Sequence, residues 1–225
     1  MTQTSTITAE RRREEKAQRR SDIIDAAERV IERKGYDKAT MGDIAKEARL
    51  SRALIYFYFD DKAAIDLAIA QRAIDLLYKL FEQAVETSSV GAQKIQAIGL
   101  AYIHFYKTYP FYFEQFARYE AKEVAWDAEA DSAEKAYVGC GQRLLGLMAM
   151  VIQQGIEDGS IRSDIGDPMQ TAITLWGMTH GVLQLGGMKA DMLAHKFGLT
   201  VDMLAAHTID MAGHALVPAG QFKKP

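Results

Sequence analysis

Four side chains in one short stretch have the types and spacing to hold a polyanion: Ser51, Arg52, Tyr56 and Lys62. A hydroxyl and a guanidinium stand side by side, a phenol follows one helical turn later, and an ammonium closes the run. Hydroxyl, phenol and ammonium donors position a protein on phosphate oxygens, whereas an arginine at the start of a helix also reaches base edges in a groove. The chemistry this points to is nucleic-acid recognition without bond making.

Such a set works only if two helices present it. Thr40 is suited to be an N-cap, with Asp43 three residues on to return a bond to the cap amide, so a helix is predicted to begin there with Ile44, Ala45 and Ala48 facing inward. Ser51 caps a second helix, and only Arg49 and Leu50 lie between them. The two helices must therefore cross sharply, and Ala45 is small enough to let their backbones approach. In the second helix Leu50, Leu54, Ile55 and Phe59 form the inner stripe, which leaves Arg52, Ala53, Tyr56 and Phe57 on or near the outer side. This outlines a helix-turn-helix that reads double-stranded DNA. Arg52, Ala53 and Leu54 would sit near base edges, and Thr40, Tyr56 and Lys62 would hold phosphates.

The same residues resemble the DNA-binding domain of the tetracycline-repressor (TetR) family of bacterial transcriptional regulators. Ile31 to Tyr36, with Gly35 at the C-cap, matches the hydrophobic-Gly-aromatic corner that ends the family's first helix. Thr40 opens the second helix, Ile44, Ala45 and Ala48 match its Ile-Ala-x-x-Ala pattern, and Ser51, Ile55, Tyr56, Tyr58, Phe59 and Lys62 match the recognition helix and its exit. One position departs. The turn residue, commonly Gly in the family, is Arg49, where a left-handed backbone costs roughly 1 kcal/mol unless a phosphate contact offsets it. The strong match covers about the first quarter of the chain. It implies operator DNA, a small-molecule effector and a homodimer as partners, with no cofactor.

Charge is distributed in keeping with that reading. The net charge is −3 over 225 residues, yet residues 1–62 carry 14 Lys and Arg against 12 Asp and Glu, a net of +2, so the remainder carries −5. Arg11, Arg12, Arg13, Lys16, Arg19 and Arg20 form a cluster that could follow a phosphate backbone or enter a minor groove, or else belong to a solvated tail. Arg19 and Arg20, at the start of the first helix, are the two expected on DNA. The N-terminus lacks an apolar signal region, no apolar run of about 18 residues occurs, and the single cysteine, Cys140, forms no internal disulfide, so a cytoplasmic location away from membranes is expected. Cys140 reads as a packing residue.

The expected organisation is all-α: a basic arm at 1–20, a three-helix DNA-binding domain at 21–62, a helical regulatory domain for ligand binding and dimerisation at 63–218, and a tail at 219–225. With 4 prolines, 17 glycines and no alternating strand, everything past Lys62 reads as helix. A fourth helix capped by Asp60 or Asp61 should fray near 87–91. A fifth follows at 92–109, apolar around most of its circumference and therefore central. A sixth is predicted at 111–122, an undefined connection lies around Trp126, and a seventh spans 131–158. The turn-rich link 155–168 contains Gly159, Ile161, Arg162 and Asp164, similar to a Gly-x-Ile-Arg-x-Asp pattern in the family's regulatory domain, and leads to an eighth helix and a ninth at 200–216.

In the eighth helix Gly177 and Gly181 are one turn apart beside Trp176, His180 and Gln184, which suits close approach of a partner helix and thus a dimer. Tyr102, Phe105, Tyr106, Phe113, Phe116, Tyr119, Met148 and Trp176 are dense enough to build an apolar pocket, with His104, Gln142 or His180 as orienting groups, although such residues also serve as ordinary core. It is the family resemblance that favours a pocket. Of these, Tyr102, Phe105, Tyr106, Phe113, Phe116, Met148, Trp176 and His180 are the expected ligand residues; Arg19, Arg20, Thr40, Arg49, Ser51, Arg52, Ala53, Leu54, Tyr56, Phe57 and Lys62 are the expected DNA residues.

His207, Met211 and His214 share a helical face but lack a carboxylate or cysteine pair at ligand spacing, so no metal is expected. No catalytic residues are expected either: Gly139, Gly141 and Gly146 do not follow a strand, and no nucleophile-elbow, Walker or zinc-protease pattern occurs. The expected function is a ligand-responsive regulator, a repressor released from a palindromic operator by a small apolar or aromatic molecule. The alternative, a helical carrier or protein-interaction module without DNA, explains the pocket residues but not the spacing of Ser51, Arg52, Tyr56 and Lys62.

Overall fold

The computed structural model describes residues 3–121 and 133–219, which form ten helices and no strand. Helix α1 (Gln3–Lys34) runs straight through the stretch expected to be a separate arm. That expectation is corrected for a simple reason. Residues 10–34 contain neither Gly nor Pro, and charged or amide pairs four apart, such as Gln18 donating to Asp22 at 2.9 Å, support a continuous helix. Gly35, at φ +79°, ends it and donates to the Ile31 carbonyl at 2.7 Å.

Helices α2 (Met41–Glu47) and α3 (Arg52–Tyr58) are defined by their caps. The Asp43 amide donates to Thr40 Oγ1 at 3.1 Å and the Thr40 amide donates to Asp43 Oδ2 at 3.2 Å, a reciprocal capping box. Ser51 Oγ accepts the Leu54 amide at 3.2 Å. Between them Arg49 adopts φ +57°, the left-handed turn conformation, and the Leu50 amide closes the turn on the Ala45 carbonyl at 2.9 Å. Asp61 caps α4 (Lys62–Val85), accepting the Ala64 amide at 2.8 Å.

The chain forms two compact units that divide between Arg72 and Ala73, not at residue 62. The reason lies in the first turns of α4. They bury Ile65 and Ile69, and Arg72 forks onto α1, with Nη1 donating to Asp25 at 2.6 Å and Glu28 at 3.0 Å and Nη2 to Ser21 Oγ at 2.8 Å.

The second unit contains the remainder of α4 and α5 (Gly91–Thr108), α6 (Pro110–Glu120), α7 (Ala133–Glu157), α8 (Pro168–Met188), α9 (Ala190–Phe197) and α10 (Val201–Leu216). As its apolar circumference predicts, α5 is central and packs against α6, α7, α8 and α10. Its own N-cap, Val90, offers no side-chain bond. The cap comes from far along the chain, where Asp158 Oδ2 accepts the Gly91 amide at 2.8 Å and Ser160 Oγ accepts the Ala92 amide at 3.0 Å.

The link after α7 has a structural logic. Gly159 turns at φ +74°, Ile161 is buried against Gly155, and Arg162 pairs with both oxygens of Asp164 at 2.6 Å. Helix α9 is an addition to the expected order: it buries a single residue, Leu193, and ends at Gly198 in the left-handed conformation. The connection around Trp126, the predicted ends at Lys122 and Asp131, and the tail from 220 lie outside the described residues.

Candidate nucleic-acid interface and candidate ligand cavity

Helix α3 turns one face inward and one outward as its pattern requires. Ile55 and Phe59 are buried and Leu50 and Leu54 half-buried, while Ser51, Arg52, Ala53, Tyr56 and Phe57 are exposed. Tyr56 is 51% and Phe57 69% exposed, unusually high for aromatic rings on adjacent positions and hence a surface built for contact. Ser51 uses its oxygen as a cap acceptor and keeps its hydroxyl proton for another partner. The Arg52 guanidinium lies across Gly42, where a Cβ would come within 2.5 Å of Nη2. Gly42, which sequence reasoning passed over, is the residue that lets Arg52 lie there; its only signal was a glycine one residue inside a helix start.

Other expected DNA residues are engaged within the protein. Lys62 Nζ donates to the carbonyls of Tyr36 at 2.9 Å and Ala39 at 3.1 Å and stands 4.2 Å from the Tyr36 ring centroid. Besides the phosphate role expected of it, Lys62 has a structural one: two of its three protons tie α4 to the loop before α2. Thr40 likewise donates its hydroxyl to Asp43 Oδ2 at 2.8 Å. Arg20 lies 4.6 Å over the Phe59 ring, and Lys16 lies 5.8 Å from the Phe57 ring, so the basic residues of α1 stand beside α3. Arg19 remains exposed with a long 3.9 Å pairing to Asp22. Salt bridges from Arg29 and Arg33 to Glu47 and from Lys34 to Asp43 fix α1 to α2, and the hydrogen bonds from Lys34 and Thr40 hold the Asp43 carboxyl down to about 2.

In the second unit a cavity of about 590 Å3, within the range of small-molecule sites, lies among α4, α5, α7, α8 and α10. On α5 it follows the stripe Ile95, Ile98, Gly99 and Tyr102; a Cβ on Gly99 would come within 2.6 Å of Ile209 on α10. The lining includes exposed Thr87 and Gln93 as well as buried Phe81, Tyr102 and Met148.

Of the eight expected ligand residues, Tyr102, Met148 and Trp176 line this cavity. Tyr102 is stacked on Trp176 at 4.7 Å, and Phe105 and Tyr106, one turn further along α5, are not part of the lining. Phe113, Phe116 and His180 back the same rings at 5.7–6.2 Å. The Tyr102 hydroxyl and His180 Nδ1 are 2.6 Å apart. Burial lowers the imidazole's proton affinity and raises that of the phenol, so both groups are kept neutral and share one hydrogen bond whose direction follows the imidazole tautomer. His104, bonded to Thr108, and exposed Gln142 are away from the lining.

Residues 23–69 match the model of bacterial regulatory proteins of the tetR family. This segment, about a fifth of the chain, is where the likeness to the tetR family lies. It is similar to the transcriptional activator FasR of Mycolicibacterium smegmatis, 33% identical over 88 residues, 39% of this chain and 40% of that protein. The nicotine-responsive transcriptional repressor HdnoR of Paenarthrobacter nicotinovorans is 34% identical over 80 residues, 36% of this chain and 39% of that protein. The chain thus spans about two fifths of the length of these relatives. Its fold extends the likeness: the TetR family regulator PfmR of Thermus thermophilus superposes with a TM-score of 0.62 over 84% of this chain and 96% of that one, at 16% identity.

The tetR-family domain was legible in sequence, whereas the cavity wall largely was not. Gln96, Thr179 and Ile209 line it without having been expected to. The signal for Gln96 and Ile209 was the 3–4 spacing of lining residues on α5 and α10, with Gly99, Ala212 and Gly213 among them, and for Thr179 its place one turn from Trp176 on α8.

Proposed function

We propose that this chain is a homodimeric, ligand-responsive repressor that reads an inverted-repeat operator in the cytoplasm. The observation that carries the reading is the continuity of α4. One uninterrupted helix carries Lys62 and Arg72, which tie it to the elements around the reading head, and then Phe81, which lines the cavity. A molecule that displaces the cavity end of α4 therefore acts on the residues that seat α2 and α3. The relatives, an activator and a nicotine-responsive repressor, support a regulator of either sign; repression is the sign proposed.

The dimer is supported by the outer face of α8, where Ile173, Gly177, Gly181 and Leu185 recur every fourth residue, exposed, with nothing within 4 Å of a Cβ placed on either glycine. A reader of two half-sites needs two copies. Sedimentation of the free protein as a monomer would remove this part of the reading.

Linkage provides the test of the whole. A ligand shifts the protein off DNA only by its difference in affinity for the two states, typically about 1–3 kcal/mol, and operator must weaken ligand binding by the same factor, about 5- to 150-fold. Ligand titrations followed by tryptophan emission, with and without operator, should differ by that factor. Equal affinities would end the release mechanism while leaving DNA binding intact.

A further inference from the structure

We infer that the cavity takes an uncharged ligand with a flat apolar body and a hydrogen-bond acceptor, held by the Trp176 indole N–H and the Gln96 amide. The inference rests on the cavity being the effector site proposed above.

Charge is the first discriminator. None of the described residues that line the cavity is Asp, Glu, Lys, Arg or His. A carboxylate or ammonium placed among Phe81, Ile98, Met148 and Leu175 would lose its hydration with no counter-charge in the wall, the most expensive kind of burial. A neutral aromatic body gains from the same wall.

The polar atoms supply the second discriminator, because most are already in use. Thr87 donates to the Ala84 carbonyl at 2.7 Å, Ser88 to Gln93 Oε1 at 2.7 Å and Thr179 to the Leu175 carbonyl at 2.9 Å, and the Tyr102 hydroxyl is paired with His180. Three side-chain donors in the wall have no hydrogen bond among the described residues: Nε2 of the exposed Gln93 and, on half-buried residues, Trp176 Nε1 and the side-chain amide of Gln96. A half-buried indole N–H is ordinarily paired, so the two half-buried groups define where an acceptor oxygen of the ligand belongs. A ketone, ester, amide or phenol meets the requirement; a hydrocarbon fills the space but leaves both donors unmet.

The experiment uses the full chain without DNA and two scaffolds, benzophenone and 2-acetylnaphthalene. Each is compared by calorimetry with its carboxylate, its aminomethyl derivative and its hydrocarbon counterpart, diphenylmethane or 2-ethylnaphthalene. The neutral ketones should bind at least about 100-fold tighter than the charged forms. In Trp176→Phe and Gln96→Leu, which keep ring and volume, ketone affinity should fall about three- to tenfold while hydrocarbon affinity holds.

Charged forms that bind as tightly as the ketones overturn the inference, as does a ketone-to-hydrocarbon ratio that neither variant changes, or failure of both ketones to bind at millimolar concentration. Failure of the underlying reading looks different. Ketones that bind with the expected selectivity yet bind equally well in the presence of operator leave this ligand class standing and remove the regulatory role.

Discussion

The helices of the first unit and the central helix of the second are capped by opposite means, although α8 and α10 of the second unit also have local caps, Asp167 and Thr200. In the first, α2, α3 and α4 are capped by Thr40, Ser51 and Asp61, each bonding an amide three residues ahead. In the second, the central helix α5 takes its cap from Asp158 and Ser160, 67 and 68 positions away. The reading head can therefore form from a window of sequence, whereas the cavity unit requires the end of α7 to return to the start of α5 before that helix is satisfied at its N-terminus. Local caps keep the proposed DNA-reading surface in fixed geometry; a borrowed cap leaves the start of α5, beside the cavity residues Val90, Ala92 and Ser160, dependent on a distant segment.

Breaking the long-range closure should have the largest effect. Gly91 meets Gly155 so closely that a Cβ on Gly91 would lie 2.3 Å from the Gly155 Cα, a backbone atom that cannot swing aside. Gly91→Ala should cost more than about 3 kcal/mol by forcing α5 and α7 apart. Chemical denaturation checks it: a variant with the parent's midpoint and slope would show that the crossing is not tight.

A gentler cut removes the borrowed cap alone. Asp158→Ala should cost about 1–2 kcal/mol, the usual value of a lost helix cap, with Asp158→Asn recovering part of it. Bonds from Ser160 and then from the Gly91 amide hold the Asp158 carboxyl below its ordinary range. Because the folded value is depressed, its contribution is complete above the unfolded carboxylate range near about 4 and is lost as pH falls through the folded value. Asp43 in the other unit follows the same sign and should titrate at about 2. Carboxyl NMR titration of the folded protein reads both, and an ordinary midpoint at Asp43 would break its pairing with Lys34 and its capping box with Thr40.

How much of this could be read from the chain follows the same division. Thr40, Asp43, Arg49 and Ser51 are legible because each acts within a few residues of itself, so spacing and residue type suffice. Lys62 defeats the local argument: its two acceptor carbonyls, at Tyr36 and Ala39, lie over twenty residues upstream, and a lysine at a helix start looks the same whether it faces phosphate or protein. The boundary at Arg72 is hidden for a similar reason, since its carboxylate partners sit on α1. The cavity was legible at Tyr102, Met148 and Trp176 but not in extent, because which aromatic ring closes a pocket is decided by neighbouring helices. Gln96 escaped notice as a polar residue on an apolar helix, and α9 because eight residues with one buried leucine leave almost no periodic signal.

The smallest expected effect separates folding from reading at a single residue. Arg49 holds φ +57° between α2 and α3, the one described non-glycine residue with a positive φ, and its side chain is exposed. Gly tolerates that backbone without the Cβ clash, although it loses more entropy on folding, so Arg49→Gly should stabilise the protein by about 0.5 kcal/mol, near the limit of measurement. If the strained arginine is kept for a phosphate, the same variant should bind all DNA sequences more weakly and lower the salt slope by about 1. Stability rising while affinity falls would identify Arg49 as a phosphate contact maintained at the expense of its own turn. A variant that gains stability and binds DNA with an unchanged salt slope would show that the arginine serves neither purpose and that the turn accepts its strain without return.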